Sequence, residues 1–341
     1  MTDEEQTTPA EEPTATASAE EPAASAEEPT ASGEEGDTSG EEGEPNDELV
    51  RIDEFEADGP LELDVSVTIG RVEIVLEGDS GARVELRHDR GEQQPWVAGV
   101  NSLLSWVGER FGDQLGVDPS GGSPAEAVRQ SRIEKLGNRL VVQAPKAWQL
   151  RNVALAVKVH APAGSHVEVR AGAADVTVTG SAGRVDLLTG SGEVKLDRAD
   201  GSATIRTGSG AVKLGPTLGG LQLRSGSGHV EASSIAGSAT LATGTGDVWL
   251  GAVSGEVMAR TGSGDLSVAD AASGSLDLIT GSGEVRIGIR GGTAAEVDLT
   301  SSAGRVSSEL DVADAAPEGG VKLKVRARTG TGNAVVTRAA G

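Results

Sequence analysis

The sequence predicts an all-β fold, a β-solenoid with about 18 residues per coil, and three observations lead to this prediction. A short turn typified by Thr189-Gly190-Ser191-Gly192 recurs nine times between residues 171 and 329. Apolar and polar residues alternate on both sides of the turn, which indicates two short strands per repeat, each with one inward face. Aromatic residues make up only 2% of the chain, as expected for a narrow core of Val, Leu, Ile and Ala. The turns begin at Ala171, Thr189, Thr207, Ser225, Thr243, Thr261, Thr280, Ser301 and Thr329, and the first five intervals are each 18 residues.

The chain begins with an acidic segment, residues 1–48, that contains 17 Asp or Glu and no Lys or Arg. It carries most of the formal net charge of −24. Paired glutamates alternate there with Pro, Gly, Ala, Ser and Thr, a composition that buries too little apolar surface to offset chain entropy. We therefore predict a disordered tail. We interpret it as a solubilising segment that repels other copies, with docking on a basic surface, in cis or on a partner, as the alternative.

Residues 49–341 are predicted to form one solenoid domain with a helical insertion at residues 91–137. Alternating apolar residues at 49–88 and 140–169 predict irregular first coils. Within the insertion, Ser123-Pro124-Ala125-Glu126 has the form of a capping box, and the helix that it begins is predicted to end near Gly137. A preceding helix is predicted from apolar residues on one helical stripe, namely Trp96, Val100, Leu103, Leu104, Val107 and Phe111.

The preceding helix has three possible roles. A solenoid needs a cap because its terminal coil leaves strand edges and core open, so we interpret the helix as a lid. A membrane-surface helix and a partner-binding element are the alternatives. Interfacial helices are usually rich in Lys and Arg, whereas residues 96–115 contain only Arg110.

Stacking of the coils explains why each repeat has apolar positions and corner glycines. Two five-residue strands cannot bury an apolar face alone, so each repeat must stack on its neighbours. The corner glycines provide positive φ without steric cost. Equivalent residues then form columns, and the corner hydroxyls of Thr189, Thr207, Thr243 and Thr261 are predicted to form a structural ladder.

The outward columns contain the candidate interaction residues. One face carries Arg206, Arg224 and Arg260, and residues 321–328 alternate strictly, so that cations point outward from what we take to be the last coil. Trp249 is predicted to point outward and is a candidate interaction hot spot. The candidate interaction surface is Arg206, Arg224, Arg260, Lys322, Lys324, Arg326, Arg328 and Trp249.

The basic stripe has two interpretations. Cations on an exposed terminal strand prevent edge-to-edge pairing, and this is the interpretation that we favour. The alternative is an anion-binding surface for an acidic polymer, a phosphorylated group or the chain's own tail. Nucleic acid is not expected, because the chain is strongly acidic and aromatic residues do not interleave with the cations.

Catalytic and cofactor signatures are not found in the sequence. The chain has no Cys, and its four His are scattered without carboxylates at ligand spacing, so no metal site is expected. The Gly-x-Gly of each corner is not followed by a helix, as a phosphate-binding loop would require. We therefore expect a protein that is not an enzyme and has no cofactor.

The start of the chain does not predict export. A secretory signal requires a basic start and an apolar run, whereas this chain opens Met1-Thr2-Asp3-Glu4-Glu5 and stays polar to Glu48. No segment approaches the length of an apolar membrane span. A cytoplasmic protein is expected, with association with the cell surface as the alternative.

Several motifs resemble a known family. The corners Thr-Gly-Ser-Gly-Glu-Val at Thr189 and Thr280, the lead-in at residues 153–164 and the repeat running to Val336 are similar to the bacterial β-strand repeats called "putative adhesin" or toast-rack. The resemblance implies a right-handed, β-helix-like solenoid without enzymatic activity, from a family associated with envelope-stress and surface systems. The acidic tail and the helical insertion depart from the family pattern.

Three functions follow as hypotheses. The first is a non-catalytic scaffold that binds an unknown protein partner or an acidic ligand. The second is a self-assembling filament resembling bactofilins, and the third is a surface adhesin exported by an unrecognised route. The sequence does not predict the oligomeric state.

Overall fold

The computed structural model describes residues 50–89, 123–310 and 320–340. These residues contain one helix, α1 (Pro124–Gln130), one 3-10 turn (Trp148–Leu150) and 23 strands in a single hydrogen-bonded system. The strands are β1 (Arg51–Phe55), β2 (Glu62–Leu76), β3 (Ala82–His88), β4 (Arg132–Leu136), β5 (Arg139–Gln143), β6 (Leu155–Ala161), β7 (His166–Ala182), β8 (Val185–Ser191), β9 (Val194–Ala199), β10 (Ala203–Ser209), β11 (Val212–Thr217), β12 (Leu221–Ser227), β13 (Val230–Ile235), β14 (Ala239–Thr245), β15 (Val248–Val253), β16 (Glu256–Ser263), β17 (Leu266–Ala271), β18 (Gly274–Ser282), β19 (Val285–Ile289), β20 (Ala295–Ser301), β21 (Val306–Ser308), β22 (Leu323–Thr331) and β23 (Ala334–Arg338).

From β8 to β19 the strands form a solenoid in which each strand pairs, in parallel, with the next strand but one. In β10, Ile205 lies between Leu187 of β8 and Leu223 of β12, so equivalent residues are 18 positions apart. The even-numbered strands β8 to β18 make the first face, and the odd-numbered strands β9 to β19 make the second face. The predicted solenoid and its coil length are therefore confirmed.

The core is a column of apolar side chains between the two faces. Inward residues such as Ile205 and Leu223 on the first face, and Val212 and Val285 on the second, have no exposed surface. These are the positions at which the sequence alternates between apolar and polar residues, so the period of two identified the core correctly.

Glycines at the corners allow neighbouring coils to approach closely. Gly210 has a φ of +114°, and a Cβ on it would lie 2.1 Å from the carbonyl oxygen of Gly192 in the preceding coil. Residues that have a side chain rarely adopt such a φ. A carbon atom also cannot be accommodated 2.1 Å from a carbonyl oxygen to which it is not bonded. The recurring glycine is therefore required by backbone geometry.

The N-terminal end of the solenoid contains antiparallel strands that the sequence did not predict. Strand β2 pairs in parallel along β7 on one side and with β5 and β6 on the other. Beyond them, β4 pairs antiparallel with β5, β3 with β6, and β1 with β3. This end of the solenoid is therefore built from antiparallel pairs, and α1 contacts β3.

The insertion is only partly helical where the structure describes it. Helix α1 begins at Pro124, as predicted, but Ser123 makes no side-chain cap hydrogen bond. The predicted end near Gly137 is wrong, because the helix ends at Gln130 and β4 and β5 follow as a hairpin around Gly137 and Asn138. Gly137 has a φ of +60°, which suits it to this tight turn. The predicted lid helix at residues 96–111 and the acidic tail lie outside the described residues.

The final coils do not follow the order of the chain. Strand β22 lies between β18 and β20, and β23 lies between β19 and β21. The terminal coil of the described chain is therefore β20 and β21, and the segment at residues 323–338 enters between two earlier coils. The interpretation of the cationic strand as an exposed terminal strand is wrong for this reason.

The true terminal coil has the features of a protected edge. Its outward residues include the carboxylates Glu296 and Asp298, and charges on an edge strand discourage pairing with another chain. Val297 and Val306 occupy inward positions but are 36% and 48% exposed, because no further described coil covers them. The equivalent Val325 of β22 is only 2% exposed.

Candidate functional site

Four of the predicted arginines lie in one straight column on the first face. Arg206 and Arg224 occupy adjacent coils, and Ala242 separates them from Arg260. Ile279 in turn separates Arg260 from Arg328 of β22. We call Arg206, Arg224, Arg260 and Arg328 the arginine column. Neighbouring coils are about 4.8 Å apart, so the column extends over about 24 Å.

The arginine column has no neutralising partners among the described residues. None of the four guanidinium groups forms an ion pair or hydrogen bond with a described side chain. For Arg206, Arg224 and Arg260 the reason is local, because the neighbouring outward column carries uncharged residues over four consecutive coils. These residues are Thr204, Gln222, Thr240 and Met258.

Cations on the second face are paired instead. Glu193 accepts hydrogen bonds from Lys195 at 2.7 Å and Lys213 at 3.0 Å, and Glu284 lies 2.6 Å from Arg286. The two lysines lower the pKa of Glu193 below its ordinary value, Lys195 contributing most. These cations of the second face therefore have carboxylate partners, whereas the arginine column has none among the described residues.

The remaining predicted cations run along β22 rather than along the column. Lys322, Lys324 and Arg326 point outward, as predicted. Arg326 lies 3.5 Å from Asp298 of the terminal coil, so its charge is partly compensated. Lys322 and Lys324 form no ion pair with a described residue. The predicted stripe is therefore a column along the solenoid that meets a short row at β22.

Trp249 lies on the opposite face from the arginine column. It points outward from β15 and is 43% exposed, as its column predicted. The predicted candidate residues therefore do not form a single surface. The cations belong to the first face, and the indole belongs to the second.

Two apolar side chains beside the arginines were missed in the sequence analysis. Leu188 precedes Arg206 in the same column and is 50% exposed, and Met258, two residues before Arg260, is 38% exposed. Their outward positions follow from the 18-residue register and could have been found by it. Arg and Met are enriched in protein interfaces, so the first face combines cationic and apolar contact groups.

The corner hydroxyls form hydrogen bonds within their own turns. The buried hydroxyl of Thr207 donates to the carbonyl oxygen of Ser209 at 2.9 Å, and Thr243 repeats this contact with Thr245 at 3.0 Å. The predicted hydroxyl ladder is therefore structural.

Corner carboxylates act in a similar way across coils. Asp247 accepts from the backbone N–H of Asp265 at 2.9 Å, and Asp265 accepts from that of Glu284 at 2.7 Å. Among the described residues, no group of three or more His, Asp or Glu side chains has the arrangement of a metal site.

The repeat is recognised by a family model. The model described as "Toastrack DUF4097" matches residues 166–336, half of the chain. The chain belongs to the Toastrack family. The match confirms the resemblance seen in the sequence, and it covers all four residues of the arginine column together with Trp249. No curated protein sequence matches the chain.

Solved structures similar to this Toastrack chain have low sequence identity to it. A "putative adhesin" from Bacteroides fragilis is 10% identical, with a TM-score of 0.40 over 85% of this chain and 97% of that one. A "putative lipid binding protein" from Parabacteroides distasonis is 12% identical, with a TM-score of 0.39 over 86% and 98%. A "putative cell adhesion protein" from Clostridium sporogenes is 10% identical, with a TM-score of 0.22 over 85% and 99%.

In the part of the chain that the structure describes, no helix is long and apolar enough to cross a membrane.

Proposed function

We propose that the chain is a non-catalytic interaction scaffold whose first face binds a protein partner through an acidic segment. The observation that supports this most strongly is the arginine column, whose four charges have no counter-charge among the described residues. Guanidinium groups recognise carboxylates by paired hydrogen bonds, and a collinear set fits an extended acidic segment better than a single anion.

The surroundings of the column favour a protein over a simple polyanion. Leu188 and Met258 offer exposed apolar surface among the cations. Asp277 in β18, next to the column, would repel a long uniform polyanion, since it has no ion pair with a described residue. A segment that mixes acidic and apolar side chains complements all of these groups.

The position of β22 between two other strands also supports this proposal. Arg328 cannot protect a terminal edge, because β22 is paired on both sides. Edge protection is equally irrelevant to Arg206, Arg224 and Arg260, which lie in the middle of the solenoid. A binding role explains all four residues of the arginine column.

The test uses a fluorescent peptide of alternating Glu and Leu and the full chain at low ionic strength. Replacing Arg206, Arg224 and Arg260 with Gln is expected to weaken binding at least about tenfold, which corresponds to about 1.4 kcal/mol. Binding of the wild-type chain should also weaken strongly at about 1 M salt, where the Debye length falls to about 3 Å. Fluorescence anisotropy measures both effects.

The second face provides a matched control. Replacing Lys195, Lys213 and Arg286 with Gln changes the net charge by the same amount but removes cations that are already paired. This variant should bind the peptide as the wild type does. Equal losses in the two triple variants, or no loss in the first, would contradict the proposal.

A further inference from the structure

The second face carries a groove that the acidic-partner proposal does not use. It has a volume of about 480 Å³ and crosses the neighbouring strands β7, β9, β11 and β13. Gly215 has no side chain to fill it. The polar side chains that line the groove are Thr177, Thr179, Lys195, Asp197, Lys213 and Glu231.

Trp249 stands at one end of this groove. It is the register neighbour of Glu231 in the next coil, so the groove and the indole together extend over five coils, or about 19 Å. The Cη2 atom of Trp249 lies 3.3 Å from the position that a Cβ on Gly251 would occupy. The indole therefore lies over the backbone of its own strand and presents surface to solvent beside the groove.

The polar groups in the groove are suited to a neutral ligand rather than to an anion. Lys195 and Lys213 are both bonded to Glu193, and Asp197 and Glu231 also line the groove, so the two cations face three carboxylates. Asp197 accepts one hydrogen bond from the backbone of Gly180 at 3.1 Å, and Glu231 has no hydrogen bond or ion pair with a described residue. Together with the threonine hydroxyls, these carboxylates offer acceptors and donors to a ligand rich in hydroxyl groups.

We propose that this groove binds an extended β-1,4-linked glycan, with one sugar ring stacked on Trp249. Such glycans are flat ribbons with hydroxyls along both edges and apolar C–H faces, which matches a flat sheet surface with an aromatic platform and polar neighbours. A glycan running across the strands meets one coil after another at a spacing close to the length of a sugar ring. The groove is shallow, so a chain of several sugars is required to bury sufficient surface.

The experiment is calorimetric titration of the full chain with cellotetraose and with the N-acetylglucosamine tetrasaccharide. We expect at least one of them to bind, and Trp249→Ala to weaken binding about tenfold or more. Trp249→Phe should retain part of the affinity because it keeps an aromatic face. Thr179→Arg, which places a long side chain in the groove and leaves the indole in place, should also weaken binding.

Trp148 provides the matched control, since it is 77% exposed and lies outside the groove. Trp148→Ala should bind as the wild type does, and thermal melts should show that all variants fold. Failure of both tetrasaccharides to bind at millimolar concentration would overturn the proposal, as would wild-type affinity in Trp249→Ala. The arginine column lies on the other face, so either result leaves the acidic-partner proposal standing.

Discussion

Replacing Gly210 with Ala is expected to destabilise the solenoid by about 3–5 kcal/mol, because backbone strain and overpacking each cost about 1–3 kcal/mol. Gly210 has a φ of +114°, and its Cβ would lie 2.1 Å from the oxygen and 2.7 Å from the carbon of the Gly192 carbonyl group. Both atoms belong to the backbone of the preceding coil, so neither can move without disturbing strand pairing. Urea unfolding followed by circular dichroism measures the loss.

A substitution at Gly78 measures the free-energy cost of a positive φ without the cost of close approach between coils. Its φ is +72°, but no atom lies within 4 Å of the position of a Cβ. Gly78→Ala should therefore cost only about 1–2 kcal/mol, the usual penalty for a left-handed residue. Similar losses in the two variants would show that contact between the corners of neighbouring coils does not limit the sequence.

Ending the chain at Gly320 is expected to release two coils rather than one. The truncation removes β22 and β23, which are the only described strands that pair with β20 and β21. It also exposes the edges of β18 and β19, which those strands cover. Hydrogen exchange should then show loss of protection at residues 296–301, although the truncation leaves them in the chain.

If the last coils followed the order of the chain, a different pattern of hydrogen exchange would be expected. If β20 paired directly with β18, residues 296–301 would keep their protection after truncation. Protection at those amides in the truncated chain would therefore contradict the observed strand order. A chain ending at Arg338 is the control and should exchange as the full chain does.

Local periodicity predicted the repeated coils because each position has the same environment in every coil. The alternation around Ile205 and Leu223 identified the buried columns, and the 18-residue interval identified their register. The same register places Leu188 beside Arg206, so it also contained the exposed apolar residues that we missed.

The strand order at the C-terminal end could not be predicted in this way. The intervals after Thr280 lengthen to 21 and 28 residues, and chain order suggested that Ser301 would follow it in space. In the structure Thr329 lies next to Thr280, and Ser301 lies next to Thr329. Pairing between distant segments is decided by competition among whole strands, which a repeat pattern does not record. The helix from Pro124 was predicted too long because the hairpin at Gly137 also depends on a distant partner, β2.

Whether an outward cation has an ion-pair partner depends on contacts between neighbouring coils. Arg206 in β10 and Lys213 in β11 are both outward cations of consecutive strands. Only Lys213 reaches a carboxylate, that of Glu193 in the preceding coil. The coil-by-coil register predicts which residues are neighbours, whereas the length and direction of their side chains decide which ion pairs form. The structure was therefore needed to distinguish unpaired outward cations from paired ones.

The most direct test of the proposal that the first face binds an acidic segment is to determine to which face an acidic peptide binds. The chain contains no Cys, so a single introduced cysteine can carry a benzophenone photo-crosslinker at a unique position. Thr240→Cys places the label on the first face between Gln222 and Met258, and Ser233→Cys places it on the second face. We predict that the peptide of alternating Glu and Leu crosslinks to the label at position 240 and not to that at 233, and that about 1 M salt strongly weakens the crosslink. Crosslinking at position 233 alone, or equally at both positions, would contradict the account.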